Sequence, residues 1–236
     1  MRIARLLEWL AAPPGRCAVC GAWPAQPLCE ACEVRFAPAR PRCRCCALPL
    51  PEGVPVCGAC LREPPPLAAC FAAVDYAYPW SGLVGRFKFR GEPGWAATLS
   101  RRMAAVPGVA DELARADLAL PMPLARGRLA ERGFNQALLL ARQLAAAKTD
   151  ATLLLRLRET GSQTALDRAA RQRNVAGAFG VEPLRAHQVR DKHVVLVDDV
   201  MTSGASLHGA AQALRQAGAR RVSAVVLART EPHPQG

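Results

Sequence analysis

The segment from Val194 to Ser206 constrains the fold of this chain more than any other part of its sequence. Four apolar residues, three of them β-branched, lead directly into two adjacent carboxylates, Asp198 and Asp199. A loop of small residues follows, and then an alanine-rich stretch from Leu207 to Ala217. Short β-branched apolar runs are typical of buried parallel strands. The order therefore predicts a strand, a ligand-binding loop at its carboxyl end, and a helix whose first amides point into the same crevice.

The chemistry of this segment suits a phosphorylated sugar. Two carboxylates match vicinal ribose hydroxyls, and a small-residue loop at a helix start matches a 5′-phosphate. The magnesium strand of a P-loop NTPase needs an upstream G-x-x-x-x-G-K-[ST] loop, which the 236 residues do not contain. A purely structural turn would rarely place two carboxylates at a buried strand end. The candidate phosphate-binding residues are Thr202, Ser203, Gly204, Ala205 and Ser206.

The same segment resembles the 5-phosphoribosyl-1-pyrophosphate (PRPP) signature of the type I phosphoribosyltransferases. The resemblance implies that Asp198 and Asp199 hold the ribose 2′ and 3′ hydroxyls, directly or through Mg²⁺. Purine-salvage members carry an acidic residue where this chain has Thr202. The resemblance therefore argues against hypoxanthine or guanine as the acceptor, and the sequence names no other acceptor.

Ten cysteines point to metal binding. Four C-x-x-C pairs lie within one short region, and two pairs complete a tetrahedral zinc site. Sequential pairing is favoured over cross-braced pairing because short loops close with less entropy loss, and a redox or iron–sulfur role is the alternative to zinc. Cys45 could replace Cys46, and Cys70 is expected to be buried as a small apolar residue. The predicted ligands are Cys17, Cys20, Cys29, Cys32, Cys43, Cys46, Cys57 and Cys60.

The chain divides at the prolines 64–66 into a predicted zinc-binding module (residues 1–65, with a short N-terminal helix) and a predicted α/β domain (residues 66–236). Apolar strands alternate with helices in the second part, which predicts a mostly parallel sheet flanked by helices. The predicted strands are 72–78, 117–121, 152–157, 194–198 and 222–228, and the predicted helices are 94–103, 135–147 and 207–217.

Composition limits the compartment and the partners. Residues 1–10 have helical apolar spacing and no long apolar core, so they do not read as a signal peptide. An apolar run of about 18 residues, which a membrane helix needs, is absent from the sequence. We expect a cytoplasmic protein without a membrane span. The formal charge of +12 favours anionic partners, either polyphosphates or nucleic acid.

A second loop can serve a pyrophosphate group. The residues Pro121, Met122, Pro123 and Leu124 follow a predicted strand, and Arg132 lies just before the predicted N-cap Asn135. A helix start beside an arginine favours an anion. Arg126 and Arg128 fit this loop and a solvated surface equally well.

Together these motifs resemble the ComF (ComFC) family of phosphoribosyltransferase-like competence proteins. The resemblance covers the cysteine pairs, residues 87–91, 121–124 and 132–136, and the segment from Asp198 to Ser206. It implies a role in DNA uptake, with single-stranded DNA and competence helicase or recombination proteins as partners. It also implies a mobile hood over the substrate in the basic stretch 156–179. The residues assigned to that hood are Lys88, Gln163, Arg171 and Asn174.

Two functions of different classes follow. The first is an enzyme that transfers phosphoribosyl from PRPP to an unidentified acceptor. The second is a non-catalytic protein that senses a nucleotide or PRPP and binds single-stranded DNA on its basic surface. Aromatic platforms would favour the second function because single strands stack on them. Trp80, Phe87, Phe89 and Trp95 lie close together in sequence and are the candidates.

Overall fold

A computed structural model describes residues 15–158 and 177–231 of the chain. The chain divides into two compact units, Met1–Ala39 and Arg40–Gly236. The described part of the first unit contains helix α1 (Glu30–Phe36). The elements of the second unit are, in chain order, α2 (Gly58–Arg62), β1 (Ala69–Asp75), α3 (Trp80–Phe89), α4 (Trp95–Ala104), α5 (Val109–Arg115), β2 (Leu118–Pro121), α6 (Arg126–Arg132), α7 (Gln136–Ala145), β3 (Leu154–Arg156), β4 (Phe179–Val181), β5 (His193–Met201), α8 (Ala205–Gln216) and β6 (Arg221–Arg229).

Four strands form a parallel sheet in the order β1-β6-β5-β2, and β3 pairs separately with β4 in an antiparallel ladder. The central strands β5 and β6 are largely buried, which explains their nearly continuous apolar sequences. Val197 of β5 lies between Val225 of β6 and Pro121 of β2. The carboxyl ends of β2 and β5 are therefore neighbours, and ligand sites of open parallel sheets form at such an edge.

Helices cover both faces of this sheet. One face packs against α8, because alternate strand residues share a buried cluster with the apolar side of that helix. The members of this shared cluster include Val194, Leu196, Val222, Ala224, Val226, Leu207, Ala210, Ala211 and Leu214. The intervening strand residues point to the opposite face, and α4 packs there against β6 and α7. The predicted fold class, a mostly parallel sheet flanked by helices, is confirmed.

The second pair of cysteine knuckles belongs to the unit that contains the sheet. Its four cysteines are buried in the same apolar cluster as α8. The amide of Cys70 in β1 donates to the Arg44 carbonyl at 2.7 Å, and Asp75 at the end of β1 pairs with Arg40 and Arg42. The independent folding of residues 1–65 as one module stays a prediction.

Most predicted elements overlap the observed ones, and the differences have local causes. The first strand is Ala69–Asp75 rather than 72–78, and β5 continues past Asp198 to Met201. Helix α3 was not predicted, because Gly82 and Gly85 lower its helix propensity. Helices α5 and α6 are too short to carry a helical repeat. The predicted N-terminal helix lies outside the described residues, and among the described helices none is both long and apolar enough to cross a membrane.

Candidate phosphate site and metal centres

The two predicted carboxylates lie at the carboxyl end of the central strand β5. Asp199 is buried and Asp198 is half-buried. The Asp199 amide donates to Oδ1 of Asp198 at 2.9 Å, which fixes the first carboxylate against its own backbone. The sheet therefore presents two adjacent acidic groups at the edge where β2 also ends.

Lys88 reaches this acidic pair from helix α3. Its Nζ lies 2.8 Å from Oδ1 of Asp199, and both side chains are largely buried. Lys88 was assigned to the hood by resemblance, whereas the structure places it on α3 in an ion pair with the carboxylate. The other hood candidates, Gln163, Arg171 and Asn174, lie outside the described residues. The described base of that stretch is the ladder of β3 with β4.

Burial and mutual repulsion disfavour ionisation of both carboxylates of the acidic pair at the same time. Burial, and then the adjacent charge of Asp199, raise the pKa of Asp198 to about 7, although Lys88 acts in the opposite direction. Two carboxylates so close together favour a ligand that brings positive charge or hydrogen-bond donors. Ribose hydroxyls and Mg²⁺ both satisfy this requirement, so the donor set fits them.

The loop after β5 turns sharply into helix α8. Gly204 precedes the helix with φ +82° and ψ −4°, a left-handed conformation that favours glycine. The amide of Ala205 donates to the hydroxyl of Ser203 at 3.4 Å. The first amides of a helix have no intrahelical acceptor, so the start of α8 is suited to an anion. The five candidate phosphate residues are thus brought together at one helix start.

The loop after β2 is held beside this site by Asn135. Its side-chain amide donates to the Met122 carbonyl at 3.0 Å, and its oxygen accepts from the Leu138 amide at 3.2 Å. The predicted N-cap role of Asn135 in helix α7 is therefore confirmed. Because Met122 still donates to the Val197 carbonyl of β5 at 2.9 Å, the loop Pro123–Leu124 leaves the sheet next to the acidic pair.

Arg132 contributes two features that suit an anion. Its guanidinium carbon lies 4.8 Å from the centre of the exposed Phe89 ring, and its Nη1 donates to Gln136 at 3.3 Å. Within the described residues, Nε of Arg132 and Nε2 of Gln136 are buried without a hydrogen-bond partner. Buried donors of this kind are costly unless an acceptor reaches them. Arg126 and Arg128, in contrast, are exposed on α6.

The eight predicted cysteine ligands form two clusters. Cys17, Cys20, Cys29 and Cys32 form the first, and Cys43, Cys46, Cys57 and Cys60 form the second, with all sulfur atoms of a cluster within 4.8 Å of one another. Sequential pairing of the knuckles is therefore confirmed. Cys45 lies outside the second cluster, and Cys70 is buried in the core, where desolvation raises its pKa to about 12.

The two clusters have the dimensions of tetrahedral zinc sites. The sulfurs of Cys20 and Cys29 are 3.7 Å apart, as are those of Cys46 and Cys57. A tetrahedral site with Zn–S bonds of about 2.3 Å has sulfur–sulfur edges of about 3.8 Å. Cys29 and Cys57 also begin helices α1 and α2, so both clusters combine a knuckle with a helix start.

The protonation of these thiols also fits a bound cation. Although burial raises the pKa values of Cys17 and Cys43, hydrogen bonds from backbone amides outweigh it and lower them to about 6 and 7. Burial and then neighbouring thiols raise the pKa values of Cys32 and Cys46 to about 12. One thiol of each cluster therefore has a lowered pKa while others have raised pKa values. A bound divalent metal favours the thiolate form of all four ligands.

Known proteins match large parts of the chain. The phosphoribosyl transferase domain matches residues 129–235. The DNA utilization protein YhgH of Escherichia coli K12 is 34% identical over 178 residues, which are 72% of this chain and 76% of that protein. Competence protein F of Haemophilus influenzae is 31% identical over 160 residues, 65% of this chain and 69% of that protein. The chain belongs to the ComF family.

In this ComF-family chain the matched domain contains α7, β5 and α8, and hence the acidic pair and the phosphate loop. Lys88 and the loop Pro121–Leu124 lie before the matched range. The predicted phosphoribosyltransferase-like architecture with two four-cysteine clusters is therefore confirmed.

Sequence reasoning missed a buried arginine beside the candidate phosphate loop of this ComF-family chain. Arg229 ends β6 and is 5% exposed, and its Nη1 donates to the carbonyls of Met201 (3.1 Å) and Thr202. These two carbonyls open the phosphate loop. A charged residue directly after the apolar run 224–228 of β6 was the available indication, because buried arginines need several acceptors.

The predicted aromatic platform for single-stranded DNA is wrong for three of its four residues. Trp80, Phe87 and Trp95 are 1%, 0% and 6% exposed, so they belong to the core. The exposed Phe89 is covered on one side by Arg132. The clustering in sequence reflects the buried sides of α3 and α4, on which aromatic residues pack together.

The opposite end of the sheet contains a basic cavity of about 710 Å³. It lies at the amino ends of β5 and β6, and its lining is Ala68, Glu112, Arg115, His193, Arg215, Arg220 and Arg221. Buried Glu112 accepts from Arg221 at 3.0 Å and contacts His193 at 3.0 Å. The exposed guanidinium groups of Arg115, Arg215 and Arg220 leave the rim of this cavity positive.

Proposed function

We propose that this ComF-family protein binds PRPP together with Mg²⁺ at the carboxyl ends of β2 and β5. The observation that carries the proposal is the acidic pair Asp198–Asp199 beside the left-handed turn at Gly204. Asp198 and Asp199 would hold the ribose 2′ and 3′ hydroxyls, directly or through the metal. The amides and hydroxyls of residues 202–206 would hold the 5′-phosphate.

The pyrophosphate group has its own candidate donors. Arg132 and Gln136 carry buried donors without partners in the described chain, and Asn135, which lies between them in sequence, donates to Met122 of the loop Pro121–Leu124. An anion at this position would satisfy both donors and would also stabilise the start of α7. Bound Mg²⁺ would neutralise the charge that accumulates where pyrophosphate meets the acidic pair.

Transfer of the phosphoribosyl group to an acceptor is the enzymatic form of this proposal. In such a transfer the bond between ribose C1 and the pyrophosphate oxygen breaks, and an acceptor nucleophile forms the new bond to C1. Asp198 and Asp199 would keep the ribose fixed while Arg132 holds the departing pyrophosphate. Thr202 offers no carboxylate to take a proton from a purine, so a purine-salvage reaction is disfavoured.

We assign zinc to both cysteine clusters, with a structural role. Four protein sulfurs fill a tetrahedral site and leave no position for a reactive water. The first unit has few large apolar side chains in its described part, so metal binding would supply much of its folding free energy.

Calorimetry tests the ligand. PRPP with Mg²⁺ should bind the wild-type protein, and the double variant Asp198→Ala and Asp199→Ala should bind at least about tenfold more weakly. Ribose 5-phosphate in place of PRPP separates the contribution of the 5′-phosphate site from that of the pyrophosphate site. Absence of PRPP binding by the wild-type protein would contradict the proposal.

A second candidate function is binding of single-stranded DNA. The observation that favours it is the basic cavity at the amino ends of β5 and β6, whose lining includes the exposed arginines Arg115, Arg215 and Arg220. The names of the relatives, a DNA utilization protein and a competence protein, agree with this function. Phosphate contacts rather than base stacking would supply the affinity, because most of the candidate aromatic platform is buried.

Salt dependence tests this second candidate. Replacing Arg115, Arg215 and Arg220 by Gln should weaken binding of an oligothymidylate and flatten its dependence on salt by about two in log–log slope. Replacing Arg126 and Arg128 by Gln provides the control, since these exposed arginines lie on α6. Equal losses in both variants would indicate nonspecific attraction to a basic protein.

A further inference from the structure

Arg229 joins the second cysteine cluster to the phosphate loop through one buried guanidinium group. Its Nε donates to the Cys46 carbonyl at 2.9 Å. Its Nη1 donates to the carbonyls of Met201 at 3.1 Å, Thr202 and Thr230 at 2.6 Å. The guanidinium fork is rigid, so movement of one acceptor displaces the others.

The cluster side of this connection is a tight turn. The Ala47 amide donates to the Cys43 carbonyl at 2.7 Å, and Ala47 has φ +55°, a left-handed conformation that is unfavourable for alanine. This turn carries the Cys46 carbonyl toward Arg229. A metal bound to Cys43 and Cys46 would close the turn across its two ends and fix the direction of that carbonyl.

The loop side of the connection has little freedom. Met201 is 2% exposed, pairs with Arg229 in the β5–β6 register, and lies 3.6 Å from the Cys70 sulfur through its own sulfur. The next carbonyl, that of Thr202, begins the phosphate loop. A change at the Cys46 carbonyl would therefore reach the loop through Arg229 and not through a mobile surface segment.

Charge supports the same connection. The hydrogen-bond acceptors of the Arg229 guanidinium are backbone carbonyls, which carry no formal charge. Four thiolates around one Zn²⁺ carry a net double negative charge. The metal-loaded cluster would thus provide the buried arginine with a nearby anion.

We propose that Arg229 is a positioning residue through which the metal at the second cysteine cluster controls the affinity of the phosphate loop for PRPP. This inference rests on the proposed function, since it concerns the same ligand. It assigns the second cluster a role in ligand binding that the first cluster does not share.

Metal loss at one cluster at a time provides the first test. The variant Cys46→Ser should lose one zinc per chain and bind PRPP at least about tenfold more weakly. The variant Cys45→Ser, one residue away and outside the cluster, should keep both metals and the wild-type affinity. The variant Cys20→Ser should lose the first metal and change the affinity less than about twofold. Equal weakening by Cys20→Ser and Cys46→Ser would overturn the inference.

The variant Arg229→Lys tests whether the arginine carries the effect. Lysine keeps the positive charge but lacks the planar guanidinium group that reaches several carbonyls at once. The zinc content should therefore stay unchanged, while the affinity for PRPP should fall as in Cys46→Ser. The double variant Cys46→Ser with Arg229→Lys should be no weaker than either single variant, because both changes break one connection. Additive losses, or wild-type affinity in Arg229→Lys, would contradict the role of Arg229.

Hydrogen exchange gives a readout that does not need the ligand. In the Cys20→Ser variant, which should hold only the second zinc, chelation should speed amide exchange at residues 202–206, and in Arg229→Lys these amides should exchange fast with zinc present. Unchanged exchange on chelation would refute the inference. If wild-type protein fails to bind PRPP but exchange responds to zinc, the proposed ligand is wrong and the connection is right.

Discussion

Nζ of Lys88, near the end of helix α3, lies 2.8 Å from Oδ1 of Asp199 at the end of strand β5. The contact joins residues far apart in sequence and neutralises one of two adjacent carboxylates. The side chains are 17% and 8% exposed, so water screens the interaction only partly. The pair therefore differs from an exposed ion pair such as Lys192–Asp117 in its burial.

We expect Lys88→Met to lower the free energy of unfolding by about 2–4 kcal/mol, because it leaves a buried carboxylate uncompensated. Urea denaturation measures this change. Lys192→Met provides a matched control, since Lys192 pairs with Asp117 at 3.5 Å with both side chains exposed, and should cost less than about 1 kcal/mol. The double variant Lys88→Met with Asp199→Asn should recover part of the loss, and failure to recover would show that the ion pair is not its cause.

The acidic pair also predicts a pH dependence of stability. The pKa of Asp198 is raised to about 7 in the folded state, whereas an unfolded aspartate ionises near pH 4. Its contribution to stability is therefore complete below about pH 4 and is lost as pH rises through 7. Asp198→Asn should raise the free energy of unfolding at pH 8 by an amount on the order of 1–4 kcal/mol, and with it the melting temperature. Near pH 4 both quantities should be unchanged.

Asp117 provides a control of opposite sign. The backbone amide of His193 lowers the pKa of Asp117, so this carboxylate stabilises the fold above its unfolded pKa. Asp117→Asn should therefore lower the melting temperature at pH 8 and have little effect at low pH. A melting difference for Asp198→Asn that shrinks as pH rises would contradict the assigned charge state of the acidic pair.

The two cysteine clusters predict a defined metal content. Metal analysis of the purified protein should find about two zinc ions per chain, because each cluster supplies four sulfurs. Cys46→Ser should retain about one zinc, and Cys45→Ser should retain about two. Loss of a metal in Cys45→Ser, with retention in Cys46→Ser, would show that the neighbouring cysteine is the ligand.

The local parts of this site were predictable from sequence, and the long-range parts were not. The segment from Asp198 to Ser206 carries strand, carboxylates, loop and helix in chain order, so its arrangement follows from spacing. The pairing of Cys17 and Cys20 with Cys29 and Cys32 follows from the cost of closing loops.

Lys88 and Arg229 illustrate the other case. Lys88 reaches Asp199 from helix α3, which packs against α4, and no spacing in the sequence indicates this contact. Arg229 reaches Cys46 across most of the chain, through the pairing of β6 with β5 and of β1 with β6. The position of such side chains depends on packing of the whole unit, which apolar periodicity does not specify.

Arg132 should contribute to affinity through its charge. Arg132→Leu is expected to weaken binding of PRPP about 10- to 100-fold, as loss of a charge-assisted hydrogen bond to an anion does. Arg128→Leu, the same change on the exposed side of α6, should leave the affinity within about twofold. Calorimetry with ribose 5-phosphate completes the test, because neither variant should alter binding of a ligand that lacks pyrophosphate. A loss with ribose 5-phosphate would place Arg132 near the other phosphate.

Alanine substitutions at Gly204, in the phosphate loop, and at Gly133, outside it, separate the cost of backbone strain from the cost of steric crowding. Both have positive φ, +82° and +75°, so alanine costs about 1–2 kcal/mol of backbone strain at either position. A Cβ at Gly133 meets no atom within 4 Å, whereas a Cβ at Gly204 lies 2.4 Å from Cε of Met201 and 3.1 Å from Nε2 of His208.

Met201 cannot move aside freely, because it is buried and its sulfur contacts Cys70. Gly204→Ala should therefore destabilise the protein by about 1–3 kcal/mol more than Gly133→Ala in urea denaturation, since crowding adds to strain. It should also displace the first amides of α8 and weaken binding of ribose 5-phosphate. Equal destabilisation by the two variants would mean that the loop after β5 relaxes, and that Met201 does not hold it in place.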